Sequence, residues 1–157
     1  IGDDKTVAYL GMGGRNKTYA TQRGGSLIAD KCGSSEGGLL SAIDDFTKRV
    51  FQETGRNLKP HEAIEAMKTG QVRSRGKDYD VASIRGEVLE PYIHATRSLI
   101  GSVWGDTTQI DELRIGGGGG LLVGHRIAQG YPQAIVVADP QWAEARGQLA
   151  LGRKRFG

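Results

Sequence analysis

Leu113-Arg-Ile-Gly116-Gly-Gly-Gly-Gly120-Leu-Leu-Val123-Gly-His-Arg-Ile127-Ala-Gln-Gly130 is the stretch on which the fold turns. An apolar strand candidate, residues 113–115, hands over through five consecutive glycines to a helical pattern of Leu121, Leu122, Val123 and Ile127 that stops at Gly130. Without side chains at a strand-to-helix junction, another molecule can approach the main chain and meet free N–H groups at the positive end of the helix dipole. That suits a nucleotide or another anion. Regular structure frames the run, and the serine and proline of a flexible linker are missing from it.

Working outward, the last third reads as strand, glycine loop (116–120), helix (121–129), strand (134–138) and a closing helix from Pro140, with Asp139 as its N-cap. The front of the chain has a different rhythm. Residues 6–10 read as a strand and run into a second glycine turn, Gly11-Met-Gly-Gly14. Residues 18–22 form another strand, and Gly24-Gly25 makes a hairpin turn into a third over 26–30. Ser34 or Ser35 can cap a helix whose apolar face is Leu39, Leu40, Ile43, Phe46, Val50 and Phe51, with Gly55 as its stop. A short helix over 57–69 has Pro60 in its first turn, and 70–79 is a polar, basic excursion, so that about 56–80 reads as a small insertion. From Asp80 a long helical pattern runs to Trp104, bent or restarted near Pro91, and stops at Gly105.

The 157 residues fit one domain with a real core, and 38% hydrophobic with 25% charged residues is ordinary globular composition. The single Cys32 excludes a disulfide framework and a cysteine zinc site; His61, His94 and His125 are too far apart for metal-ligand spacing. A reducing, cytoplasmic setting fits, and no apolar run approaches the length of a membrane span. The absent initiator Met, with a strand starting almost at once, leads us to expect a chain cut from something longer. A net charge of +3, with basic residues at 73–77 and 153–155, reads as a solvated face before it reads as a nucleic-acid surface. The neighbouring pairs Asp44–Asp45 and Asp111–Glu112 point apart on regular elements and make no catalytic dyad. Trp104 and Trp142 read as packing at helix ends, and Cys32 as a buried small hydrophobe.

Gly11-Met-Gly-Gly-Arg-Asn-Lys-Thr18 comes within one residue of the phosphate-binding P-loop, which needs glycine at Asn16. A P-loop runs straight into a helix, which this reading would start at Lys17; the residues that follow here alternate as a strand. Neither glycine cluster has the three-glycine spacing of a dinucleotide fingerprint.

Two glycine turns at strand ends, a hairpin after the first and an α/β finish together resemble the second domain of actin-like ATPases, most closely the plasmid-segregation group that includes ParM and StbA proteins. In that group D-I-G-G-x-T-T-D turns between the first two strands and contacts nucleotide phosphates, and Gly11 to Thr18 stands in its place. The serine- and glycine-containing stretch before the family's helix resembles Ser34-Ser-Glu-Gly37, its G-G-G-A adenosine loop resembles Ile115 to Gly120, and its closing pattern resembles Asp139-Pro-Gln-Trp-Ala-Glu-Ala-Arg-Gly147. The matches span nearly the whole chain in order.

The resemblance implies an α/β, actin-like (ribonuclease H-like) domain with a mixed sheet flanked by helices, the half of a two-domain ATPase spanning 1–157. It implies ATP or ADP with Mg2+ in a cleft shared with a missing first domain, self-association into filaments, and movement of plasmid DNA through a DNA-binding adaptor. It assigns adenosine-side contacts to Gly117, Gly118 and Gly119, the phosphate turn to Gly13, Gly14, Arg15, Asn16 and Lys17, and the pocket wall to Gly37. The family's metal-associated aspartate is replaced by Gly11, its threonines by Asn16 and Lys17, and its second aspartate by Thr18. Backbone N–H groups can still cradle phosphate there, but the carboxylate chemistry of hydrolysis is missing from the turn. Little or no hydrolysis is therefore expected of this half alone. A scaffold module whose nucleotide site has decayed is the other reading that these residues leave open.

Overall fold

The computed structural model describes residues 4–156. Its centre is a mixed sheet of six strands: β1 (Thr6–Met12), β2 (Asn16–Arg23), β3 (Ser26–Leu27), β4 (Gly33–Glu36), β7 (Glu112–Gly116) and β8 (Ala134–Val136). The spatial order is β3-β2-β1-β7-β8, and β4 shares the outer edge of β2 with β3. β1, β2 and their edge strands pair antiparallel, whereas β1, β7 and β8 are parallel. A sheet that changes sense at β1 needs tight turns on one side and long crossovers on the other. The glycine turns and the helices supply these.

Register divides the sheet into two faces. Ala8, Leu10 and Met12 line up with Thr21, Tyr19 and Lys17 on β2, and Ala8 and Leu10 with Leu113 and Ile115 on β7. On that face lie α3 (Ala82–Trp104) and α4 (Gly117–Ala128), with α1 (Leu40–Thr54) packed on α3. Phe46, Val50, Ile93, Ile100, Leu113, Ile115 and Ile127 are buried together there. Trp104 closes the far end, its indole N–H donating to Thr21 Oγ1 at 2.7 Å and its ring standing edge-on to Tyr19. The opposite face presents Tyr9, Gly11, Thr18, Ala20 and Arg114 to α5 (Ala143–Phe156), which leaves Leu149 and Leu151 exposed. α2 (Pro60–Thr69) and the hairpin of β5 (Gln71–Ser74) with β6 (Lys77–Asp80) form the lobe between α1 and α3.

Several expectations change. The third strand stops at Leu27 and passes into a 3-10 turn, Ala29–Lys31, because only Gln22 and Arg23 remain to pair with it. Ser34 and Ser35 do not cap α1. They pair with Thr18 and Lys17 in β4, and α1 starts at Leu40 with no side-chain cap. The polar excursion is a regular hairpin turning at Arg75 and Gly76, both at positive φ. α3 runs through Pro91 without restarting. α4 takes in four of the five glycines, two of which, Gly117 and Gly119, pack on Met12 too closely for side chains; the run is a strand end and a helix start, not a loop. Asp139 sits at φ 46 without capping; a 3-10 turn, Pro140–Trp142, intervenes before α5, and Trp142 is exposed. Cys32 is only half-buried, its thiol donating to the Ile28 carbonyl.

Phe46 is fully buried between α1 and the core, whereas Leu27 is 70% exposed. Phe46→Ala is expected to cost about 3–5 kcal/mol of unfolding free energy in urea titrations, and Leu27→Ala no more than about 0.5 kcal/mol. Equal losses would contradict this placement of the core.

Candidate functional site

The parallel pairing of β1 with β7 sets Gly11 opposite Gly116, so the turn after β1 and the glycines after β7 emerge on one rim of the sheet. α4 then crosses directly over the end of β1. A Cβ on Gly117, which has φ 80, would lie 2.5 Å from the Met12 carbonyl oxygen, and one on Gly119 would lie 2.6 Å from the Tyr92 hydroxyl and 2.9 Å from Met12 Cβ. Both glycines are needed for that close approach. Gly118 differs: it has no positive φ, is the least buried of the run, and a Cβ there would meet nothing within 4 Å. α4 has no side-chain cap, so the N–H groups of its first turn face the rim.

The β1–β2 turn is tied to α1. The N–H groups of Gly38, Leu39 and Leu40 donate to the carbonyls of Arg15 (2.7 Å), Gly13 (3.1 Å) and Gly14 (2.8 Å), and the Gly13 N–H closes the hairpin on the Asn16 carbonyl at 3.0 Å. These bonds satisfy the helix donors with the turn's own oxygens. The turn's carbonyls therefore face α1, and the N–H groups of Gly14 and Arg15 have no acceptor among the described residues. Gly38 is what permits the contact, since a Cβ there would lie 2.2 Å from the Gly14 oxygen. Arg15 and Asn16 are exposed, and the strand from Asn16 removes the P-loop reading, which requires a helix there.

Lys17 points the other way. Its side chain is 2% exposed, its ammonium donates to the Gly37 carbonyl, and it stands 4.5 Å from the centroid of the Tyr92 ring. Gly37, at φ 86, thus meets Lys17 on the wall of a cavity of about 360 Å³ between α1 and α3. Burial holds the Lys17 pKa below its usual value and pushes the Tyr92 phenol upward. The Tyr92 hydroxyl has no hydrogen-bond partner among the described residues and faces the glycine run.

Two further features escaped the reading of the sequence. A hollow of about 510 Å³ lies beside the first turns of α4, lined by Met67, Lys68, Arg85, Leu89, Leu121 and Leu122 among others, and its size suits a nucleoside. It is built from three helices far apart in sequence, so no local pattern marks it. The second feature is Glu144, in the first turn of α5, whose carboxylate reaches the bare flank of β1 at Gly11 and accepts a hydrogen bond from Thr18 Oγ1 at 3.1 Å. No group of three or more His, Cys, Asp or Glu among the described residues is arranged to hold a metal ion. One carboxylate with a hydroxyl fits magnesium only when phosphates complete its shell.

No protein-family model and no curated protein matches the chain. Solved structures do. A ParM filament from Clostridium botulinum superposes with a TM-score of 0.83 at 15% identity, covering 98% of this chain and 47% of that one. An archaeal actin homolog in complex with ADP gives 0.80 at 21% identity, covering 96% and 50%. Bacillus thuringiensis ParM with AMPPNP gives 0.75 at 16% identity, covering 96% and 47%. The fold is actin-like, and the chain spans about half the length of these relatives. No helix among the described residues is long and apolar enough to cross a membrane.

Two measurements check this geometry. Gly38→Ala is expected to lower stability by about 2–3 kcal/mol, because the turn must separate from α1 to admit the methyl group. For Lys17, the folded chain sheds a proton that the unfolded chain keeps at pH values between its lowered native pKa and the usual 10.5. Its contribution to stability therefore rises with pH across that window. The stability of Lys17→Met relative to the parent should be highest near neutrality and shrink towards pH 10.5; a pH-independent difference would show that the ammonium is not desolvated.

Proposed function

We propose that this chain is the nucleotide-binding half of an actin-like, filament-forming plasmid-segregation protein of the ParM and StbA kind. The observation that carries the reading is Gly118. Its glycine neighbours are demanded by packing, but nothing inside the protein requires a bare main chain at 118, whereas a ligand pressed against the first turn of α4 does. The unpaired N–H groups of Gly14 and Arg15 lie on the same rim and suit phosphate oxygens, with Arg15 and Asn16 beside them. Lys17 acts one step back, fixing Gly37 through its carbonyl. The hollow beside Leu121 and Leu122, one turn along α4 from Gly117 to Gly119, would take the nucleoside.

ATP or ADP would enter with Mg2+, whose role when bound is to neutralise phosphate charge. A first actin-like domain would close over the rim and onto the α5 side, where Leu149, Leu151 and Trp142 are exposed and a cavity of about 290 Å³ remains under the helix. The lobe of α2, β5 and β6, about 56–80, is then the insertion of this half. Filament contacts, a DNA-binding adaptor and a cytoplasmic setting follow from the same reading, as does the absence of hydrolysis by the half alone.

Gly11 and Thr18 favour a second reading, since they carry no carboxylate where the family has two. On that reading the site has decayed and the chain is a scaffold. Calorimetric titration with ATP and ADP separates the two: saturable binding supports the first, and none at millimolar ligand supports the scaffold. Gly118→Ala is expected to leave stability unchanged or raise it by up to about 1 kcal/mol, yet weaken nucleotide binding by about tenfold. Undiminished affinity in that variant would remove the rim as the binding surface.

A further inference from the structure

Gly11 leaves a bare patch on the α5 side of β1, two residues before the phosphate turn, and two oxygens from other elements converge on it. A Cβ at residue 11 would lie 2.2 Å from Glu144 Oε1 and 2.4 Å from Thr18 Oγ1. The space that a side chain at 11 would take is thus filled from α5, by a residue 126 positions beyond the Thr18 to which it is hydrogen-bonded. Gly11, Thr18, Gly116 and Glu144 line one cavity, which places the carboxylate on the flank of the rim where both glycine turns emerge.

We propose that Glu144 is the carboxylate that meets the magnesium of a bound nucleotide, supplying from α5 what residue 11 cannot. The inference rests on the nucleotide reading of the rim. Magnesium in nucleotide sites keeps several waters and is held by one or two carboxylates together with the phosphates. A carboxylate and a hydroxyl beside a phosphate turn are enough to accept hydrogen bonds from those waters, and the longer arm of a glutamate offsets its origin on a helix outside the turn. Thr18 orients the carboxylate by donating to one of its oxygens. The competing account is a plain tether, in which Glu144 does no more than hold the first turn of α5 against β2.

ADP affinity measured by calorimetry in excess Mg2+ and in EDTA, for the parent chain and for Glu144→Gln, decides between them. Glu144 is exposed, so the isosteric amide should fold as the parent does, which circular dichroism checks. The expected result is that magnesium tightens ADP binding to the parent by about tenfold or more, and to Glu144→Gln by less than about twofold, with the magnesium-free affinities alike. Mn2+ titrated into the ADP complex and followed by electron paramagnetic resonance should show the same loss of metal affinity. Equal magnesium enhancement in both proteins, or none in the parent, overturns the role of Glu144 and leaves the nucleotide site standing. Absence of ADP binding under every condition overturns both.

Discussion

The hydrogen bonds from Gly38, Leu39 and Leu40 to the carbonyls of Arg15, Gly13 and Gly14 are the constraint from which the rest of the site follows. A helix N-terminus must find acceptors for its first N–H groups, and a tight turn must find donors for its carbonyls. Here each solves the other's problem. The docking fixes the angle at which α1 leaves the sheet, keeps Lys17 and Gly37 together beneath it, and leaves the turn's amides facing the rim. A helix N-terminus that already holds protein carbonyls is no longer an anion site, so of the two helices that start beside the rim, α1 and α4, it is α4 whose first N–H groups stay open.

That division separates the chain from P-loop proteins despite a near match in residues 11–18. What matters is which main-chain groups face the ligand. In a P-loop the turn and the following helix both present N–H groups. In this protein a strand follows the turn, and the helix that completes the rim arrives from 100 residues downstream, brought there by the parallel pairing of β1 with β7. The same crossover explains why Gly117 and Gly119 are demanded by packing on β1 and Gly118 between them is not.

The sequence was most informative where local rules act alone. Alternation located β2, short strand-like runs ending in glycine located β1 and β7, the apolar periods of α1 and α3 were plain, and the order of glycine turns pointed to the actin-like fold that the superpositions bear out. It was least informative where distant partners decide. Ser34 and Ser35 look like caps because their side chains suit that role, but the free edge of β2 takes them as a strand. Five glycines look like a loop because glycine disfavours helix by about 1 kcal/mol per residue, but packing against Met12 outweighs propensity. Glu144 and the hollow above α2 could not be read at all, since each exists only through contacts between elements remote in sequence.

Pro91 lies midway along α3, next to Tyr92 and on the wall of the cavity that Lys17 also lines. Proline has no N–H, so the Glu87 carbonyl one turn earlier loses its usual partner, and the rod is most compliant there. The part of α3 before Pro91 is bound to α2 and the β5–β6 hairpin through Val81 and Arg85, and the part after it to the sheet through Trp104. Arg85 and Leu89, which wall the hollow beside α4, therefore belong to the segment before the missing N–H, and Trp104, which anchors the helix to the sheet, to the segment after it.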